Sequence, residues 1–485
     1  MISFSWSLFG DDWLTFFIFL SIVLFIIGIS EFIRYYSFIS NEQNRMLVHV
    51  VVGLLCSVSP NLFQSSLQPI LLGLLFFTLN LIALKINRFK GMHAIDRKSY
   101  GTIYFPVSYI ILASFFWEFS SHITLSLMLL SIADPLASLI GQTINNPKYI
   151  YPWHDKKSIQ GSVTMFLSSF IIVYLLTPTI FPNKGLNIYY FSFFLASLST
   201  LAESISYKGS DNFSVPILSF IGIHCFQITL ENFELIMITV IIFFSIAYYF
   251  QLVDFSGLSG GCIMALIIIT MGGIKYLIPL SVFFILSSLI GKIIGLNQNT
   301  HHKNPKRNIA QVLANGSISL IICITAYFIK DDGLLFFLFL SSVSAANSDT
   351  WATEIGKLSK TKPVSIINFK KIESGLSGGI TYIGTFGSLL GSITIGVVGY
   401  TLGVNIIIFF GIVLTGFIGA LIDSILGATL QVKFITPDGK VTETPSINSD
   451  KIKGVRWINN NLVNLFCTLS APALMYLYLL YFYPK

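Results

Sequence analysis

A chain of 485 residues with 54% hydrophobic and 11% charged residues has a mean hydropathy of +0.77. Soluble domains carry about 25% charged residues, so this composition excludes a water-soluble enzyme and specifies an integral membrane protein. The net charge of +7 comes from lysines and arginines gathered in short loops, and the lack of a soluble basic domain excludes nucleic acid as a partner.

Apolar runs of about 17–25 residues span a bilayer as helices, and about 14 of them follow one another here. The expected fold is all-α: a polytopic transmembrane helical bundle with two halves that look alike. Clear runs cover residues 13–29, 67–84, 162–181, 235–250 and 462–482. The first is preceded by Asp11 and Asp12 and followed by Glu31 and Arg34, with no small-residue cleavage site, and reads as a retained helix. Next, "NRMLVHVVVGLL" places Arg45, His49 and Gly53 on one helix face at four-residue steps.

Basic residues collect between the runs, at Lys85–Lys98, Lys148–Lys157, Lys292–Arg307, Lys357–Lys371 and Lys451–Arg456. The positive-inside rule places such loops on the cytoplasmic side, where they also suit a nucleoside triphosphate. His301 and His302 sit in a hydrophilic loop with nothing to fix them and receive no role. The five cysteines are scattered through apolar runs without metal-ligand spacing, as expected of buried apolar thiols.

A pattern occurs twice. "ADPLASLIG" sets Ala137 and Gly141 after Asp134, and "SDTWATEIG" sets Ala352 and Gly356 after Asp349. Lys157 follows Asp134 by 23 residues and Lys371 follows Asp349 by 22, each with a glycine four residues on, Gly161 and Gly375. A second acidic motif closes each half: "AESISYKGSDNFSVP" with Glu203, Asp211 and Asn212, then "IDSILGATLQ" with Asp423. Duplication is the simplest account, with a boundary near residue 230 separating 1–230 from 231–485.

Carboxylates inside membrane helices are costly and face a cavity or a partner. A salt bridge is the plain reading. Mg²⁺ coordination by Asp134, Asp211, Asp349 and Asp423 is the functional one, because Mg²⁺ takes hard oxygen ligands and leaves room for substrate phosphates. Lys157 and Lys371 are point charges for a polyphosphate, while Gly161 and Gly375, each near a helix start, would bring backbone N–H groups to it. The plain alternative is loop lysines and helix-packing glycines. Asn460 and Asn464, one turn apart at a helix start, read as caps or as amide ligands of metal or phosphate. No P-loop motif occurs.

With these motifs in place, residues 30–228 resemble the phytol kinase and dolichol kinase group of CTP-dependent polyprenol kinases. The resemblance rests on "NRMLVHVVVG", "YGTIYFPVSY", "ADPLASLIG", "KKSIQGS" and, most specifically, the run from Glu203 to Pro216. Gln160 stands where that group usually has an acidic residue, and "NNPK" where it commonly has a glycine. Residues 250–475 resemble the phytyl-phosphate kinase family through "FSGLSGGCIMALIII", "QVLANGSIS", "AANSDTWATEIG", "SGLSGGITYIGTFGS", "IDSILGATLQ" and "WINNNLVN". Together the resemblances imply a bifunctional enzyme. It would phosphorylate an isoprenoid alcohol, phytol or similar, to the monophosphate and then the diphosphate, with CTP or a related nucleotide and Mg²⁺. The product would feed tocopherol or phylloquinone synthesis at a bacterial inner, thylakoid-type or plastid envelope membrane.

In that scheme Asp134, with Glu203 or Asp211, holds the metal. Arg45, Lys157, Ser158, Gly161 and Asn212 contact nucleotide phosphates, and His49 or a carboxylate accepts the alcohol proton. Asp349 and Asp423 take the metal role in the second half, with Lys371, Gly375, Asn460 and Asn464 at the phosphates. A lipid-phosphate cytidylyltransferase and a transporter with internal repeats are the rival readings.

Overall fold

The computed structural model describes residues 12–36, 38–86, 99–144, 146–182, 185–229, 232–297, 306–331, 333–439, 441–445 and 449–482. Much of the basic loop ending at Lys98, His301 and His302, and residues 230 and 231 at the expected boundary lie outside them. The chain divides into two compact units, Met1–Glu234 and Leu235–Lys485.

The architecture is all-α. Among the described residues nine helices are long and apolar enough to cross a membrane, and helices Gly101–Phe116 and Phe233–Tyr249 are shorter and apolar. Helix Phe255–Asn297 is broken at Gly273, whose φ of +70° interrupts the helical backbone. Strands are confined to short ribbons in the loops.

In the first unit, α1 (Asp12–Tyr35), α2 (Asn41–Val58), α3 (Leu67–Ile86) and α4 (Gly101–Phe116) precede a span running from Ser120 to Thr143. That span consists of α5 (Ser120–Met128), a π-turn over Leu129–Ala133, and α6 (Asp134–Thr143). Pro135 has no N–H to donate to the preceding turn, which loosens the ladder there, and π-turns of this kind often mark functional positions. A two-residue ribbon, β1 (Tyr149–Ile150) with β2 (Lys157–Ser158), leads into α7 (Ile159–Ile180), followed by α8 (Ile188–Ser204) and α9 (Asp211–Ile228). Its core gathers Leu130, Ala133, Ala137, Met165, Ala202 and Val215 beneath the acidic residues.

The second unit begins within α10 (Phe233–Tyr249) and holds α11 (Phe255–Asn297), α12 (Ile309–Ile329) and α13 (Leu334–Gly356). A ribbon, β3 (Val364–Ser365) with β4 (Gly379–Ile380), then leads into α14 (Tyr382–Thr401) and α15 (Ile406–Thr429). A three-stranded sheet of β5 (Lys433–Ile435), β6 (Val441–Thr442) and β7 (Asp450–Lys453) separates α15 from α16 (Asn460–Phe482). The packing of α13 on α14 is backbone-deep. A Cβ on Gly384, Gly387 or Gly391 would stand 3.0, 3.0 or 2.9 Å from the Ala352, Trp351 or Asn347 carbonyl oxygen. Such small-residue contacts hold membrane helices together where no hydrophobic difference from lipid exists. Asn347, fully buried, links three helices by accepting from Ser287 Oγ (3.0 Å) and donating to the Gly391 carbonyl (2.8 Å).

The two units share one local design: an Asp-bearing helix, a two-residue antiparallel ribbon, then a capped helix whose glycine packs back on the first. Ser158 caps α7 by accepting from Gly161 N–H, and Thr381 caps α14 by accepting from Gly384 N–H. The structural partner of Gly161 is therefore Gly384. Gly375, matched to it by spacing from the lysine, lies in an exposed loop well before α14 begins at Tyr382.

Candidate functional site

The first-half residues singled out by the sequence converge. A cavity of 1410 Å³ in the first unit is lined by Arg45, His49, Asp134, Lys157, Ser158, Gly161, Glu203, Asp211 and Asn212. Each comes from a different local device. The α2 capping box, Ser40 with Gln43, starts that helix, and Arg45 and His49 follow one turn apart on the face that lines the cavity. The π-turn before Asp134 presents its carboxylate to the same space. A tight left-handed turn at Lys208 and Gly209 carries the chain from Glu203 to Asp211. Gly209 is required there: its φ is +88° and a Cβ would lie 2.7 Å from the Gly101 nitrogen.

Carboxylate oxygens of Asp134, Glu203 and Asp211 all lie within 4.8 Å of one another. Lys157 Nζ enters this group, donating to Glu203 Oε1 at 2.5 Å and to Ser206 Oγ at 3.0 Å, with Asp211 Oδ2 at 3.7 Å. Ser206 in turn donates to Asp211 Oδ2 at 3.3 Å. Burial acts to depress the Lys157 ammonium, but the Glu203 and Asp211 carboxylates outweigh it and hold its pKa above the ordinary value. His49 Nε2 is 3.3 Å from the Leu130 carbonyl and 3.9 Å from Asp134 Oδ2.

The donor set fits a hard divalent cation. Three carboxylates converge, and Glu203 Oε2 is buried without a hydrogen-bond partner, leaving one oxygen for a ligand the ammonium does not reach. Gly161 N–H is taken by Ser158 Oγ at 3.1 Å, and Gly161 itself packs on Gly141. Asn212 Nδ2 donates to Asp211 Oδ1 at 3.0 Å and steadies that carboxylate.

Away from the charges, the cavity is apolar. Phe19 and Val23 of α1, Leu72 and Phe76 of α3, and Cys56 and Tyr109 extend it between the helices. Polar head and apolar body thus share one space. The lining also includes Glu42, Lys156 and Lys208, which sequence reasoning passed over. Lys156 adjoins Lys157 in the basic pair, so only its side of the ribbon was undetermined.

The second unit places Asp349 on α13 and Asp423 on α15 within electrostatic reach of each other, and Glu443 within reach of Asp423. Asn464 Nδ2 donates to Asn315 Oδ1 at 3.4 Å. With its amide turned over, the nitrogen instead donates to Asp423 Oδ2 at 3.3 Å and to the Asn460 carbonyl at 2.9 Å, pairing every atom correctly. Asn460 opens α16, while neighbouring Asn459 supplies the capping bond to Leu462 N–H at 3.1 Å. Lys371 and Gly375 are exposed. Glu354 pairs with Lys357 at 2.7 Å and packs on Gly291, apart from the Asp349 face.

Glu443 was not singled out by the sequence, and no spacing signal leads to it. It accepts from Ser377 N–H (2.6 Å), Ser377 Oγ (2.8 Å) and Gln431 Nε2 (2.7 Å). Lys433 Nζ donates to the Ser377 carbonyl at 2.7 Å. Burial depresses the Lys433 ammonium, opposed by the Glu443 charge. The sheet thereby clamps the "SGLSGG" loop against the end of α15, where Gly378 meets Ala428.

Comparison with known proteins agrees with this architecture. An uncharacterized membrane protein of Methanocaldococcus jannaschii is 34% identical over 220 residues, covering 44% of this chain and 87% of the relative. Protein PGR of Arabidopsis thaliana is 30% identical over 249 residues, 45% of this chain and 86% of that protein. A phytol kinase of Synechocystis is 24% identical over 178 residues, 36% of this chain and 76% of that enzyme. No solved structure matches. The profile of the integral membrane protein DUF92 family matches residues 238–472, and with relatives of this identity and coverage the chain belongs to that family.

Proposed function

We propose that the chain is a bifunctional membrane prenol kinase. The first unit phosphorylates an isoprenoid alcohol, phytol or similar, and the second phosphorylates the resulting monophosphate, with CTP or a related nucleotide as donor. The observation that carries this reading is the single cavity joining three carboxylates and Lys157 to an apolar space between helices. Similarity to the Synechocystis phytol kinase supports the alcohol as acceptor.

Phosphoryl transfer depends on positioning and charge neutralisation more than on covalent chemistry. Asp134, Glu203 and Asp211 would hold Mg²⁺, which supplies neutralisation of phosphate charge when bound. Arg45, Lys156 and Lys208 surround the polar mouth and draw in the triphosphate. Lys157, released from the carboxylates, turns to the nucleotide. His49, oriented by the Leu130 carbonyl, takes the hydroxyl proton as the oxygen attacks. The apolar walls hold the tail and exclude water. In the second unit Asp349 and Asp423 take the metal role and Asn460 and Asn464 bind phosphate. The acceptor there is already an anion, so a strong base is unnecessary. By the positive-inside rule, the lysines and arginine at the mouth support a cytoplasmic site.

The test uses purified protein, phytol, Mg²⁺ and CTP labelled at the γ-phosphate, with lipid products separated by chromatography. Label in both mono- and diphosphate is expected. Asp349→Asn should stop at monophosphate, and Asp134→Asn should make diphosphate only from supplied monophosphate. A parallel reaction with CTP labelled at the α-phosphate separates the rival: lipid labelled there, with pyrophosphate released, would establish a cytidylyltransferase. Folded protein that labels no lipid with any nucleotide would remove both readings.

A further inference from the structure

The cavity of the first unit has two kinds of wall. Its deep end is closed by one side chain from each of four helices: Phe19 on α1, Cys56 on α2, Leu72 on α3 and Tyr109 on α4. All are buried, at 5, 7, 2 and 3% exposure. Tyr109 is pinned there by a 2.7 Å hydrogen bond between its hydroxyl and that of Ser59. Along α2 this floor lies seven residues below His49, roughly 10 Å at the helical rise.

The side wall differs. Leu24 of α1, and Leu79 and Ile82 of α3, line the same cavity yet are 50, 45 and 53% exposed. These side chains therefore stand at the margin of the cavity, unlike the packed side chains of the floor. Both helices are long and apolar enough to cross a bilayer, so the outer side of that wall meets hydrocarbon.

We propose that the side wall at Leu24, Leu79 and Ile82 is a lateral portal to the bilayer core, through which a long isoprenoid alcohol enters and its tail remains partly in the lipid. This rests on the prenol reading of the site. A C20 alcohol dissolves in the hydrocarbon layer and not in the water at the polar mouth. The closed floor lies too near His49 to enclose an extended C20 tail, so the tail must turn sideways. The site therefore reads the hydroxyl and the first isoprenoid units, and tolerates variation beyond them.

The experiment measures binding of radiolabelled C20 and C10 prenols to wild-type protein and a Leu79→Trp/Ile82→Trp variant in nanodiscs. Phosphorylation is followed in the same samples. The C10 alcohol is short enough to lie above the floor. The variant is expected to lose at least tenfold in C20 affinity relative to C10, and an unchanged ratio would overturn the portal. Leu24→Trp, on the other flank, should shift the ratio the same way from a different helix, and it decides the question if the double variant does not fold. Wild-type protein that binds the C20 alcohol but phosphorylates neither prenol would remove the kinase reading, while the binding ratio would still decide the portal.

Discussion

Gly161 and Gly384 hold the same place in the two units. A Cβ on Gly161 would stand 3.1 Å from the Ala137 carbonyl oxygen, and one on Gly384 would stand 3.0 Å from that of Ala352. Each glycine donates its N–H to the hydroxyl capping its helix. Gly161→Ala and Gly384→Ala should therefore each overpack a helix contact, at a cost of about 1–3 kcal/mol. Gly375→Ala meets open space but must adopt a φ of +90°, a backbone penalty of about 1–2 kcal/mol with no packing defect. Thermal unfolding checks all three. Equal tolerance of Gly161→Ala and of an alanine at an exposed helix position would contradict the packing account.

Lys157 neutralises two carboxylates that otherwise face each other. Lys157→Met should lower stability by about 3 kcal/mol, since losing one partner of a buried pair leaves the other uncompensated. Because the Lys157 pKa is held above its ordinary 10.5, its contribution should be constant at and below that pH and fade only as pH rises through the higher folded value. Denaturation of wild type and variant between pH 6 and 11 measures this. Added Mg²⁺ should stabilise the variant more than wild type, because the ion no longer competes with the ammonium.

The carboxylate group should bind a divalent cation as a unit. Chelation should abolish lipid phosphorylation, and Mg²⁺ should restore it. Glu203→Gln and Asp211→Asn should each raise the Mg²⁺ concentration for half-maximal activity at least tenfold. Metal titration of the first reaction reads this, and an unshifted midpoint would remove these residues from the metal site.

Glu443 holds the "SGLSGG" loop by two hydrogen bonds from Ser377 and is itself braced by a third from Gln431. Glu443→Ala should free that loop and cost about 1–3 kcal/mol in the second unit. It should slow conversion of monophosphate to diphosphate more than tenfold while leaving alcohol phosphorylation near wild-type. Assaying the two steps separately, each with its own supplied substrate, tests whether the clamp serves the second reaction.

The helical fold was legible from composition, because hydrocarbon leaves a chain of this hydropathy little but helices whose backbone groups are satisfied internally. In the first unit, the residues that the sequence singles out are ones the structure brings to one cavity. Arg45 and His49 share a helix face by spacing alone, Asp134 stands out because charge inside an apolar run needs a partner, and Glu203 and Asp211 stand out through the acidic motif that follows the Lys157 element. Their meeting was not legible, since Glu203 and Asp134 come from different helices and the distance between them depends on packing. Counting from the lysines paired Gly161 with Gly375. The loop between α13 and α14 is longer than its counterpart, so linear counting drifts, whereas the ribbon and cap are placed by hydrogen bonds.

The sequence by itself thus determined the class of molecule, the acidic and basic residues, and the repeated order of elements, because these follow from local chemistry and periodicity. Only the tertiary structure decided that Lys157 lies among the carboxylates, that Glu443 clamps a distant loop, and that the charged head opens into an apolar space with a buried floor and a half-exposed side. Those are distances between elements far apart in the chain, set by how helices of small and large side chains close on one another.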